Sequence, residues 1–252
     1  MNRVTGRAAL RATVFAAGLV VAACGGLAAQ GGDGYRFGSP AVTLKFEAGY
    51  GRQRAGSEIF DWVVQEHTVS RRAFDAPYVG GELAVAVHEH ADIALSLGFQ
   101  SSTVQSEYRD WVDSDDRPIL QTTSLQRIPF TASVRVYPLP RGRQIGRFAW
   151  IPRTVTPFFG AGLGLVSWDF AQEGDFIDYD TLDIYRDQVL SESSAFLARA
   201  FAGLEVAIGN NLVLTAEGRY SWADDPMEGG FVGFDNIDLD GLALTGGIAI
   251  RF

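Results

Sequence analysis

The sequence predicts an all-β fold: an eight-stranded antiparallel up-and-down transmembrane β-barrel after an N-terminal signal peptide. Hydrophobic residues make up 47% of the chain, and beyond the leader they occur in blocks where apolar and polar residues alternate. Such alternation places one apolar face on a strand. The blocks have about the 9–11 residues that a membrane-crossing strand needs. No apolar run of about 18 residues follows the leader, which excludes helical membrane spans.

Residues 1–29 have the pattern of a secretory signal peptide. Three arginines and no acidic residue open the chain, a short apolar stretch follows, and Leu27-Ala28-Ala29 offers a small-residue cleavage site. Val21-Ala22-Ala23-Cys24 also looks like a lipobox, in which Cys24 would be lipidated. Cys24 is the only cysteine of the chain, so on either interpretation the mature protein has no disulfide.

The remaining chain divides into a Gly-rich polar tether, residues 30–40, and a barrel, residues 41–252. The whole chain has 21 basic and 30 acidic residues, a net charge of −9. Without the three leader arginines the balance is 18 against 30, or −12. This acidic excess argues against a nucleic-acid-binding protein, which needs a basic surface.

Eight segments carry the alternation, and in each the opposite parity is small or polar. The first points Val42 and Phe46 to one side and Lys45 and Glu47 to the other; the fifth alternates large apolar residues with glycines. In order, the predicted strands are 41–50, 77–87, 93–100, 122–137, 156–168, 196–208, 212–222 and 239–252.

The predicted connections alternate between long loops and short turns. His88-Glu89-His90-Ala91 and Gly209-Asn210-Asn211 are tight turns, and Pro138-Leu139-Pro140 ends the fourth strand because proline cannot donate to a ladder. Outer-membrane barrels have long extracellular loops and short periplasmic turns, so both termini are expected on the periplasmic side. A ten-stranded barrel is the alternative if Ile177 to Ile184 pair with a neighbour. The expected long loops are 52–74, 107–120, 170–190 and 224–238.

The closing strand, LDGLALTGGIAIRF, alternates strictly and ends on the aromatic Phe252. This strand, together with TPFFGAGLGLVSW and the acidic stretch after it, resembles the OmpA, OmpX and OmpW type of small outer-membrane barrel over about residues 41–252. The resemblance implies an outer-membrane location and makes Phe252 the signal that the barrel-insertion machinery reads. It also implies a monomer whose partners are outer-membrane lipid and lipopolysaccharide, the barrel-assembly machinery and periplasmic chaperones.

The inward parity of the predicted strands carries ten ionisable residues. An eight-stranded barrel is only wide enough for side chains to fill, and unpaired charges inside it would be costly. We therefore expect a plug of paired charges, with a switching ion gate in a narrow channel as the alternative. The ten residues are Lys45, Glu47, Glu82, Arg127, Arg135, Arg199, Glu205, Glu217, Arg219 and Arg251.

The chain offers little for catalysis or metal binding. A Ser-His-acid arrangement needs a histidine near a serine and a carboxylate, and only His67, with Ser70 and Glu66, comes near this pattern. His88 and His90 fall in a turn, where two ligands are a weak metal signal. We therefore predict no enzyme, cofactor or metal, with a lipid A-modifying enzyme as one alternative and a small-solute channel as another. The acidic loops predict a structural or surface-interaction role, either as a solvated negative face or through a divalent cation.

Overall fold

The computed structural model describes residues 36–145, 149–178 and 181–252; the predicted signal peptide and Cys24 lie outside them. In chain order the strands are β1 (Arg36–Phe37), β2 (Val42–Gln53), β3 (Ala76–His88), β4 (Ala91–Val112), β5 (Pro118–Val136), β6 (Gly142–Ile145), β7 (Ala149–Pro152), β8 (Val155–Ile177), β9 (Ile184–Ala207), β10 (Leu212–Trp222), β11 (Asp224–Asp225), β12 (Ile237–Asp238) and β13 (Gly241–Arg251). The helices within these ranges are α1 (Glu58–Glu66) and two 3-10 helices, Arg71–Phe74 and Gly229–Phe231.

Eight of the strands form a closed antiparallel barrel in the order β10-β13-β2-β3-β4-β5-β8-β9. The chain closes the ring where its last strand meets its first, with Leu244 opposite Tyr50. The N–H of Ala41 donates to the carbonyl of Phe252 at 2.8 Å, and the N–H of Phe252 donates to the carbonyl of Val42 at 2.8 Å. The predicted eight-stranded up-and-down barrel is confirmed.

The outer surface of the barrel carries a belt of exposed apolar side chains. On β8, Phe159, Leu163 and Leu165 are 52%, 57% and 54% exposed. The intervening positions face inward and are polar, charged or small on most strands. The strand parity predicted from the sequence is therefore correct. The barrel is apolar outside and polar inside, which is the reverse of a soluble barrel.

The inward glycines of β8 are required by the narrowness of the barrel. A Cβ atom on Gly160 would lie 2.2 Å from the carbonyl oxygen of Val134 and 2.5 Å from the ring of Phe201. One on Gly164 would lie 2.0 Å from the carbonyl oxygen of Phe130. All three distances are below van der Waals contact, so no larger residue fits at either position without moving the neighbouring backbone.

The predicted long loops 107–120 and 170–190 are wrong, because both regions continue as paired strands. The hairpin of β4 and β5 reaches the pair Val112–Pro118, and that of β8 and β9 ends at the pair Ile177–Ile184. Ile177 and Ile184 thus belong to two existing barrel strands, and the barrel has eight strands rather than ten.

The extensions of β4, β5, β8 and β9 form a wall of paired strands beyond the apolar belt. On β8 the twelve residues after Leu165 extend the strand, which corresponds to roughly 40 Å along it at about 3.3 Å per residue. In this extension the inward positions become apolar and the outward positions become polar. Trp168 and Phe170 are buried on the inward side, whereas Ser167 and Asp169 take the outward parity.

The inner face of the wall is covered by a cap that consists of residues 54–75 and 223–240. The first segment was predicted as a loop but contains α1, which buries Ile59, Phe60 and Val63 and keeps Asp61 on its exposed side. No helix within the described ranges is long and apolar enough to cross a membrane. The buried cluster of the cap and the wall comprises Ala55, Ile59, Phe60, Val63, Val69, Phe74, Leu125, Val166, Trp168, Phe170, Ala195, Leu197, Ala223, Met227, Phe231, Ile237 and Leu239.

The connector between β5 and β8 also contains regular structure. Its strands β6 and β7 pair with each other, and β1 pairs with β7 to give a three-stranded sheet. Arg36 lies opposite Trp150, and Phe37 lies opposite Ala149. The end of the predicted tether, residues 30–40, therefore contains a paired strand.

Candidate functional site: the charged barrel interior

The structure places the ten predicted inward charges as follows. Nine are buried, with exposed fractions from 1% to 6%, whereas Arg127 is half-buried. They come from β2, β3, β5, β9, β10 and β13. Closure of the barrel brings them together, although Lys45 and Arg251 are 206 positions apart in the sequence. We call the buried ion pairs among them, together with the buried polar groups that contact these pairs, the ionic cluster.

Lys45 lies at the centre of one half of the ionic cluster. Its Nζ is 3.0 Å from Glu47, 3.4 Å from Glu82 and 3.0 Å from Glu217. Lys45 and Glu82 are direct partners in the β2–β3 ladder, so the strand register itself produces this pair. Three carboxylates around one ammonium leave an excess of negative charge, which other cations must offset.

Arg135 and Arg219 supply much of that positive charge. Arg135 is 2.5 Å from Glu82, 3.6 Å from Glu205 and 3.7 Å from Glu217, and its guanidinium lies 4.5 Å from the centre of the Phe158 ring. A cation over an aromatic face is stabilised electrostatically. Arg135 therefore bridges three carboxylates while its guanidinium packs over the Phe158 ring.

The rest of the ionic cluster extends this pairing across the barrel. Arg219 is 2.5 Å from Glu47 and 2.9 Å from Glu217, and it donates to the hydroxyl of Tyr78 at 3.0 Å. Arg251, on the closing strand, pairs with Glu205. Charge-assisted hydrogen bonds of this kind are about twice as strong as neutral ones.

Three residues of the ionic cluster were missed by the sequence analysis. Arg141 is 2.8 Å from Asp92, and the hydroxyl of Tyr137 is 3.0 Å from Asp92 and 3.1 Å from Glu205. Asp92 shares the inward parity of β4, so the alternation carried a signal for it. Tyr137 shares the inward parity of Arg135 in the predicted strand 122–137, so the same signal was present for it, whereas Arg141 lies beyond the end of β5, where alternation no longer reports direction.

Tyr137→Phe is expected to lower the free energy of unfolding by about 1–3 kcal/mol, because it removes the hydroxyl donor that lies between the buried carboxylates of Asp92 and Glu205. The measurement is the urea midpoint of the shift between compact and unfolded forms on electrophoresis. Tyr50→Phe is the control, since Tyr50 is 54% exposed on the outer surface. Equal midpoints for both variants would contradict the role of the Tyr137 hydroxyl.

Two arginines stand apart from the ion pairs. Arg199 donates to Ser133 Oγ at 3.3 Å, and Arg127 donates to Gln100 Oε1 at 2.7 Å and to the carbonyl of Leu239 at 2.5 Å. Both line a cavity of about 40 Å³ inside the barrel. The predicted pairing of charges thus describes most of the ten residues but not these two.

The distribution of polarity decides the class of the protein. A closed ring of strands exposes an apolar belt and encloses ion pairs, and only lipid around the barrel makes that arrangement favourable. The chain is a small outer-membrane β-barrel. Arg251 is the last residue of the closing strand β13, and Phe252 follows it with backbone hydrogen bonds to Ala41 and Val42. The insertion role of Phe252 stays a prediction.

Comparisons with known proteins found structural likeness to other outer-membrane barrels at low sequence identity. Neisserial surface protein A has a TM-score of 0.45 and 11% identity, over 84% of this chain and 97% of that one. A major outer membrane protein from Thermus thermophilus has a TM-score of 0.45 and 11% identity, over 84% and 100%. Ail, the attachment invasion locus protein of Yersinia pestis, has a TM-score of 0.41 and 12% identity, over 84% and 99%. No family model and no curated protein matches the sequence.

The histidines of this outer-membrane barrel lie in two unrelated places. His67 is fully buried in the cap, its ring centre 4.4 Å from that of Tyr108, and within the described ranges neither ring nitrogen makes a hydrogen bond of good geometry. The hypothetical Ser70 and Glu66 partners therefore do not bond to it. The rings of His88 and His90 stack at 5.9 Å. Among the described residues, no three histidine, cysteine or acidic side chains are grouped so as to hold a metal ion.

The burial of His67 predicts a pH-dependent cap. Burial lowers the pKa of His67 below its usual value of 6.5, because the charged ring loses its hydration. The cap is then fully stable above about pH 6.5 and loses stability as the pH falls below it, by at most about 1.4 kcal/mol per pH unit. Hydrogen exchange of residues 58–75 across this range measures the effect.

His67→Phe is the matched variant for this measurement, since it fills a similar volume without a titrating nitrogen. The difference between wild type and variant should grow as the pH falls from about 6.5. Parallel pH profiles for the two proteins would show that His67 does not control the cap.

Proposed function

We propose that this outer-membrane barrel is a non-conducting scaffold that acts through contacts of its folded, acidic extracellular surface, in a structural or surface-interaction role. The observation that carries the proposal is the buried apolar cluster of the cap and wall, which fills the outer opening of the barrel. The ionic cluster lies below it and occupies the interior with side chains that are 1% to 7% exposed. Two successive obstructions support a closed interior rather than a channel.

The charge of the extracellular part supports a surface role. The four segments 52–75, 107–117, 169–192 and 224–240 together contain 23 acidic residues and seven arginines. At the tip of the β4–β5 hairpin, Asp113 accepts the N–H groups of Asp115 and Arg117, both at 2.8 Å. The bond from Arg117 is the main reason that the pKa of Asp113 is lowered. A folded surface with this excess attracts a partner of positive charge.

Single-channel recording tests the closed interior. Wild-type protein in planar bilayers should show no current steps, because neither obstruction leaves a continuous aqueous path. A variant that lacks the cap residues 56–73 tests the two obstructions separately. It should also show no current steps if the ionic cluster alone blocks the interior. Regular current steps from wild-type protein would overturn the non-conducting part of the proposal.

A binding experiment tests the surface role. The variant Asp115→Asn, Asp116→Asn, Asp183→Asn, Asp187→Asn leaves Asp113 and its turn intact and should bind an oligolysine probe more weakly when reconstituted in neutral vesicles. The double variant Arg117→Gln, Arg186→Gln removes charges of the opposite sign from the same hairpins and should bind at least as well as wild type. Equal binding by all three proteins would remove the support for an acidic contact surface.

The same proposal includes a monomer without catalytic activity, surrounded by outer-membrane lipid and lipopolysaccharide and inserted by the barrel-assembly machinery with periplasmic chaperones. Closure of the barrel supports the monomer, because β13 pairs with β2 and leaves no free strand edge in the belt. Light scattering of the detergent-purified protein tests it, and a stable dimer mass would contradict it.

A further inference from the structure

A cavity of about 40 Å³ lies between the ionic cluster and the buried core of the cap. Val166 and Leu197 of the core form part of its lining, and the residues that line it include no aspartate or glutamate. A water molecule needs about 10–15 Å³ measured in this way, so the cavity has room for a ligand of a few atoms. Its polar lining residues are Tyr78, Gln100, Arg127, Thr131, Arg199, Arg219 and Ser221.

Arg199 is the principal unpaired group in this cavity. It is 5% exposed, and its Nη2 donates to Ser133 Oγ at 3.3 Å. Its Nε has no hydrogen-bond partner, and it forms no ion pair within 4.0 Å among the described residues. A buried guanidinium without a counter-charge is costly. The cavity therefore holds a positive charge without a direct ion-pair partner, on which Glu82 and Glu217 act only from beyond 4.0 Å.

The other two arginines reinforce this positive character. Arg219 uses its terminal nitrogens for Glu47, Glu217 and Tyr78, but its Nε also lacks a partner. Arg127 binds only neutral acceptors, the carbonyl of Leu239 and the side chain of Gln100. Donors from three strands thus line a space that no acidic side chain enters.

The charge balance of the barrel interior points the same way. Asp240 pairs with Arg54 in the cap. Below the cap, six buried cations face five buried anions in the described part of the chain, even when Arg127 is left out. The cations are Lys45, Arg135, Arg141, Arg199, Arg219 and Arg251; the anions are Glu47, Glu82, Asp92, Glu205 and Glu217. One monovalent anion would balance the set.

We infer that the cavity binds one small inorganic anion of the size of chloride, held by Arg199 and the neighbouring Arg127 and Arg219. The anion offsets the unpaired charge of Arg199 and satisfies nitrogen donors that the protein leaves without acceptors. It is a structural ligand of the barrel interior and plays no part in contacts of the extracellular surface.

Thermal unfolding in a neutral detergent tests the inference, with sodium chloride compared with sodium gluconate at equal ionic strength. Gluconate is too large for the cavity. Wild-type protein should unfold at a temperature higher by roughly 5 °C in saturating chloride. Arg199→Met should lose this dependence and be at least as stable as wild type in gluconate, because it removes the unpaired charge. A role of Arg199 in packing alone would instead lower the unfolding temperature equally in both salts.

Arg186→Met is the matched control, since Arg186 lies on the same strand with its side chain 76% exposed, and it should keep the chloride dependence. Bromide gives a direct measurement on wild-type protein if Arg199→Met does not fold. Crystals grown in sodium bromide should show an anomalous peak between Arg127, Arg199 and Arg219. Equal stability of wild type in the two salts, or a cavity without that peak, would overturn the inference in favour of water.

Discussion

Arg135→Met is expected to lower the free energy of unfolding by about 3–5 kcal/mol, because it leaves buried carboxylates without their cation. Arg135 is 1% exposed and lies within 3.7 Å of Glu82, Glu205 and Glu217. Methionine keeps much of the apolar stem over Phe158 but supplies no charge. The effect is measured as a lower urea midpoint for the loss of the fast-migrating compact form on electrophoresis without boiling.

Arg117→Met is the control for this loss of charge. Its side chain is 72% exposed and pairs with Asp115 at 3.4 Å, and such surface pairs contribute about 0–1 kcal/mol. The two variants should therefore differ clearly. If Arg135→Met unfolded at the same urea concentration as wild type, the ionic cluster would not be a main source of the stability of the barrel.

Phe60→Ala is expected to destabilise the cap by about 3–5 kcal/mol while the barrel stays folded. Phe60 is fully buried, and its ring packs edge-on against Phe74 at 4.8 Å and Phe170 at 5.9 Å. The cavity left by the ring lies where α1 meets the wall, so the cap opens first. Limited trypsin digestion measures the opening as faster cleavage after Arg71 and Arg72.

Val232→Ala serves as the comparison, because Val232 is 75% exposed on the second segment of the cap. Its digestion should match that of wild type. Phe60→Ala should also retain the compact form on electrophoresis, which separates cap opening from barrel unfolding. Unchanged trypsin resistance in Phe60→Ala would show that this aromatic contact does not hold the cap closed.

The barrel was predictable from the sequence because alternation is a local property of each strand. Residues such as Lys45 and Glu205 have the inward parity of their strands. Closure of the barrel then places all inward residues in one interior, whichever strands pair with each other. Which charge pairs with which was not predictable, since that depends on register and on the reach of long side chains. Arg199 differs from Arg135 in having no carboxylate within 4.0 Å among the described residues. The alternation of the two strands does not reveal this difference, because both arginines simply face inward.

The wall and the cap could not be predicted from charge and length alone. The acidic character of residues 170–190 suggested a solvated loop, although the chain there continues in paired strands. The sequence did contain a signal that the strand continues. From Val166 onward the inward positions of β8 are no longer glycines but large apolar residues, Trp168 and Phe170. In α1 the apolar residues at 59, 60 and 63 have helical spacing, but nine residues amid charged neighbours gave too short a pattern.

The cap also depends on closure of the barrel. Its two segments are far apart in the sequence, and the N–H of Asp238 donates to Ser57 Oγ at 3.0 Å across 181 positions. The first segment follows β2 and the second precedes β13, so the pairing of β13 with β2 is what brings the two segments side by side. Contacts between residues so distant in the sequence carry a large loop-closure cost. A protease-resistant cap is then a mark of a closed barrel, and a barrel that left β2 and β13 unpaired would leave α1 without its second segment.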